Sequence, residues 1–102
     1  MAKRKQQIVV ARAYNKHGDI LAVTRNSYTK THTLQAEYSK RVGRDSAIYL
    51  HAEIAALLKA REPVYRMEIL RMYADGSPAI AKPCPACALA LEEFGVKEIV
   101  HT

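Results

Sequence analysis

The chain has two cysteines, Cys84 and Cys87, three positions apart in the run Pro83-Cys84-Pro85-Ala86-Cys87. That run opens a predicted helix that continues to Phe94 and is closed by Gly95. On a helical turn, a spacing of three turns both sulfurs to the same side. The first turn of a helix also carries partial positive charge and unpaired N–H groups, which favour thiolate over thiol. Two cysteines this close cannot build a disulfide framework, and in a reducing compartment the spacing points to metal or redox chemistry. Thirty-three positions before Cys84, His51-Ala52-Glu53 stands at the start of another predicted helix. One imidazole and two thiolates form a soft N/S donor set suited to tetrahedral zinc. A chain that uses all three on one ion must bring the two helix starts together.

Three protein ligands leave the fourth position for water, the arrangement of a catalytic zinc site. Glu53, two residues after His51, is the candidate general acid/base beside such a water. Zinc lowers the pKa of its water to about 7, which makes a nucleophile available at neutral pH. Two other readings stay open. One is a closed zinc knuckle whose fourth ligand is His17, His32 or His101; the other is a redox pair at a helix start. Neither gives Glu53 a task.

A length of 102 residues makes one domain, and 49% hydrophobic residues are enough for a modest core. Residues 1–6 read as a basic, flexible tail, and residues 7–102 as a single domain. The Ile- and Val-rich run Gln7 to Tyr14 and the run Ile20 to Thr24 read as strands joined by a short turn, hence an antiparallel hairpin. Leu34, Tyr38 and Val42 recur every four residues, which predicts a helix with Thr33 as its cap and Gly43 as its end; the stripe is core or subunit interface. The zinc-bearing helix that starts at Ser46 or His51 is stopped by Pro63. Val64 to Tyr73 alternates as a third strand, 74–78 is turn and loop, and Val96 to Val100 is the last strand. After the hairpin, strands and helices alternate, which argues for a sheet covered by helices with its later strands parallel. No apolar run approaches the ~18 residues of a membrane span, and the expected location is the cytoplasm.

His-Ala-Glu followed by Pro-Cys-x-x-Cys resembles the signature of the zinc-dependent cytidine/deoxycytidylate deaminase superfamily, and the chain looks like a minimal nucleoside or nucleotide deaminase. The resemblance runs from the first hairpin to the last strand. It implies an α/β fold: a three-layer, cytidine-deaminase-like mixed sheet of about four strands, with helices bearing the zinc site. It also implies hydrolysis of the exocyclic amine of a cytosine, or in some branches of adenine or guanine, with ammonia released, and subunits that assemble into homo-oligomers. Asn26, just after the second strand, matches a position that contacts the substrate sugar in several branches. Lys82 stands where several branches place Ser, Thr or Glu, and the elements that often follow the last strand are not part of this sequence.

The charge is lopsided. Residues 1–50 carry ten basic against three acidic residues, a net of +7, whereas residues 51–102 carry six against seven. Within 25–44 stand Arg25, Lys30, Lys40, Arg41 and Arg44, with Glu37 the only acid. These cations suit one 5′-phosphate or the backbone of a strand. Strand binding usually adds several stacking aromatics, and only Tyr28 and Tyr38 lie in that segment. Candidate substrate contacts are therefore Asn26, Ala52, Tyr28 and Arg25. The favoured partner is a free cytidine, deoxycytidine or deoxycytidylate. The alternatives are a deaminase acting on single-stranded DNA or RNA, and a zinc-stabilised, non-catalytic nucleic-acid-binding module.

Overall fold

Alternation at the start of the chain sets the core. In the computed structural model, which describes residues 7–27, 29–43, 49–73, 75–81 and 83–102, Val9, Ala11 and Ala13 of β1 (Gln7–Tyr14) are buried. Their neighbours Ile8, Val10 and Arg12 are only half-buried, so the strand has one inner face. The expected tail at 1–6, and with it Tyr28, Lys82 and Arg44-Asp45-Ser46, lie outside the described residues. β2 (Ile20–Arg25) returns antiparallel to β1. Asn15 builds the intervening turn, its Oδ1 accepting the backbone N–H groups of His17 at 2.9 Å and Asp19 at 3.0 Å. Such local bonding is why Asn favours turns.

β3 (Arg66–Tyr73) pairs antiparallel with the other edge of β1, from Gln7↔Tyr73 to Tyr14↔Arg66. Its own outer edge is shared. β5 (Glu98–His101) runs parallel along residues Arg66–Ile69, and β4 (Pro78–Ala79) lies antiparallel beside Arg71 and Met72. The hairpin followed by a parallel pair is thus the expected mixed sheet. β4 is an addition in a segment read from sequence as turn and loop, because two residues are too few to display a period. The third and last strands start two residues later than their apolar runs, at Arg66 and Glu98.

The described helices are α1 (Thr33–Arg41), α2 (Ala52–Lys59) and α3 (Pro85–Glu93); α2 packs on β1 and β2, α3 against α2, and α1 against α3. Tyr38, Ile54, Leu57, Ala90 and Leu91 meet Val9, Ala11, Ala13, Ala22, Met67 and Ile69 in one cluster, with Leu34 and Val42 packed against it. Fully burying Ile54, Met67, Ile69 and Leu91 contributes roughly 1.5–3 kcal/mol apiece. Gly43 and Gly95 follow α1 and α3 with φ of +75° and +77°, the left-handed conformation that ends helices and that a Cβ disfavours. The cap of α1 differs from expectation. Thr33 is its first residue, and His32 caps it, the ring Nδ1 accepting the Leu34 N–H at 3.0 Å. No described helix is long and apolar enough to cross a membrane.

Candidate active site

The first turns of α2 and α3 meet beside the sheet. His51 and Cys84 occupy the same position on the two helices, each the extended residue just before the first turn. Pro85 follows Cys84 at the start of α3, where its missing N–H costs nothing. Cys87 completes the turn and donates its backbone N–H to the Cys84 Sγ at 3.5 Å. His51 Nδ1 stands 3.4 Å from the Cys84 Sγ and 3.3 Å from the Cys87 Sγ. All three donor atoms lie within 4.8 Å of one another.

That spacing fits zinc. With Zn–N of about 2.0–2.1 Å and Zn–S of about 2.3 Å, the N···S edge of a tetrahedron is about 3.6 Å. The electrostatics fit as well. The interaction with Cys87 holds the Cys84 thiol well below its ordinary value, while the interaction with Cys84 and burial push Cys87 up. Among the described residues no other His, Cys, Asp or Glu joins the group. His17 lies in the hairpin turn, His32 caps α1 and His101 ends β5, so none of the three closes a knuckle.

Neighbouring elements hold the ligands in place. Gln35 of α1 is fully buried; its Oε1 accepts the His51 backbone N–H at 3.1 Å, and its Nε2 donates to the Ser39 hydroxyl at 3.3 Å. Thr24 of β2 donates its hydroxyl to the Ala52 carbonyl at 2.7 Å. One helix and one strand thus tie down the start of α2. Glu53 is 5% exposed, and burial pushes its carboxyl above the usual carboxylate range. A cavity of about 260 Å³ is lined by Glu53 together with His51, Cys84, Asn26, Tyr49 and Arg71.

A family model described as the cytidine and deoxycytidylate deaminase zinc-binding region matches residues 1–102. The chain belongs to this family. Zinc is accordingly the cofactor of the His51–Cys84–Cys87 group. A comparison with curated proteins found no match.

The other candidate contacts of this deaminase-family chain are placed unequally. Ala52 is fully buried and lines the cavity. Asn26 lines it too, but its amide is engaged with β1: Oδ1 accepts the Val9 N–H at 3.0 Å and Nδ2 donates to the Gln7 carbonyl at 3.2 Å. Arg25 lies across from Val10 and borders a separate, more open hollow with Lys30. Tyr28 falls outside the described residues. Of the basic segment, Arg41 is already neutralised. It grips both oxygens of Glu93 at 2.8 and 2.9 Å and Glu37 at 2.9 Å. Sequence reasoning missed Gln35, Tyr49 and Arg71. Tyr49 stands two residues before His51, and Arg71 interrupts an inward alternation of Met67 and Ile69, so both left a trace in the sequence.

Proposed function

We propose that this chain is a zinc-dependent hydrolytic deaminase that converts a cytosine nucleoside or nucleotide to its uracil form. The observation that carries this reading is the buried Glu53 lining one cavity with His51 and Cys84 of the His51–Cys84–Cys87 group. His51 Nδ1 and the sulfurs of Cys84 and Cys87 hold the ion. Zinc, when bound, supplies Lewis acidity that activates water toward an electrophilic ring carbon. Glu53 moves a proton at its carboxylate oxygen, from water to the departing amine, and its raised affinity for protons suits that shuttle. Water is consumed, oxygen stays on the carbon, and ammonia leaves. The Ala52 backbone N–H, in a first turn without an intrahelical partner, is the donor proposed for the base. Asn26 shapes the cavity wall, and the Tyr49 ring offers a stacking face.

A second reading, deamination of single-stranded DNA or RNA, is favoured by one feature. The Arg25–Lys30 hollow shares Asn26 and Ser27 with the cavity, so a strand could pass from one to the other. A non-catalytic module is disfavoured because it has no use for a buried carboxyl beside the metal. The exposed Ile20, Val23, Ile99 and Val100 supply apolar surface for the self-association that the resemblance implies. A cytoplasmic location suits thiols kept reduced for the metal.

Ammonia release from cytidine, deoxycytidine, deoxycytidylate, adenosine and a single-stranded oligonucleotide, each at two salt concentrations, tests the proposal. Turnover of a free cytosine substrate with formation of the uracil product is expected. Salt-sensitive turnover of the oligonucleotide alone would transfer the assignment to the second reading.

A further inference from the structure

On β3 the residues alternate, and Met67 and Ile69 face the helices as part of the core. The next residue in that register is Arg71, paired with Val9, whose side chain is also inward. A guanidinium at an inward position needs a partner, because an unmet buried donor costs roughly 1–3 kcal/mol. Arg12 and Arg66 have Glu68 as a carboxylate partner, although the Arg66 Nε is itself buried without a hydrogen bond, and Arg41 has Glu37 and Glu93. Arg71 pairs with no carboxylate among the described residues, and its Nε is buried with no hydrogen-bond partner there. The same residue lines the cavity that His51, Glu53 and Cys84 also line.

We infer that Arg71 reads an anionic group of the ligand in this cavity, so that the site takes a nucleoside monophosphate in preference to a nucleoside. The inference rests on the deaminase reading above and adds to it the residue that selects among free substrates. A guanidinium presents a planar fork of donors that matches phosphate geometry, and a partly desolvated pair of this kind is stronger than a surface one. The cavity, at about 260 Å³, is slightly below the ~300–1,000 Å³ of common ligand pockets, which suits one nucleotide better than a stacked strand. The competing cations, Arg25 and Lys30, border the neighbouring hollow instead, and neither has a buried unmet donor.

Calorimetric binding of deoxyuridylate and deoxyuridine to the zinc-loaded protein tests this without turnover, since both already have the uracil form. Wild type is expected to bind deoxyuridylate about 10- to 100-fold more tightly than deoxyuridine, the range of a hydrogen-bonded charge pair. Arg71→Gln should lose most of that ratio at unchanged zinc content, and Arg71→Lys, which keeps the charge, should lose less. Equal wild-type affinities for the two ligands would overturn the role of Arg71 while leaving the deaminase reading intact. A loss of the ratio in Arg25→Gln/Lys30→Gln, with Arg71→Gln retaining it, would overturn it too. Binding of neither ligand would bring down both.

Discussion

Protein carrying Cys84→Ala together with Cys87→Ala is expected to purify without zinc, where wild type carries about one ion per chain. The two sulfurs are two of the three donors that face one another, and the remaining His51 imidazole alone makes a weak ligand. The loss reaches the fold as well, because the ion joins α2 to α3, and metal bound only by the folded chain adds its binding free energy to stability. Elemental analysis gives the stoichiometry, and a thermal melt gives the accompanying fall in Tm. Full zinc content in the double variant would remove both cysteines from the metal site.

Glu53→Gln is expected to lower turnover by roughly 100- to 10,000-fold, the usual contribution of a positioned general acid/base. Zinc content and Tm should stay near those of wild type. Glutamine keeps the shape and hydrogen-bonding length of the side chain at a position only 5% exposed, and the carboxylate is not among the three grouped ligands. It cannot carry the proton. Ammonia release normalised to bound zinc separates this outcome from metal loss. A variant with near-normal rate would take Glu53 out of the mechanism.

Where composition is distinctive, the sequence was a good guide. The run from Gln7 to Tyr14 is rich in Ile and Val, and the strand has those bounds. The donors at His51, Cys84 and Cys87 were legible because each stands at a helix start marked by local chemistry, and the fold brings those starts together. What escaped depends on partners distant in the chain. Nothing around Gln35 announces that its amide holds the backbone of His51, sixteen positions away. Arg41 counted as a free cation in a basic segment until Glu93, fifty-two positions on, was seen to clamp it. The cap of α1 escaped for a different reason: Thr33 is the commoner capping residue, but the His32 ring reaches the Leu34 N–H first. Arg71 lies between these cases. Its inward register follows from counting twos along β3, whereas its lack of a partner is visible only in three dimensions.

The most direct measurement is ammonia release by metal-stripped wild-type protein as zinc is returned, with deoxycytidylate and deoxycytidine as substrates. Activity should be absent without metal and should rise to a plateau near one zinc per chain, with the uracil product formed in equal amount to ammonia. Turnover that survives complete removal of zinc would contradict a zinc-dependent deaminase, and no turnover of either substrate at any zinc content would contradict action on a free deoxycytosine nucleoside or nucleotide.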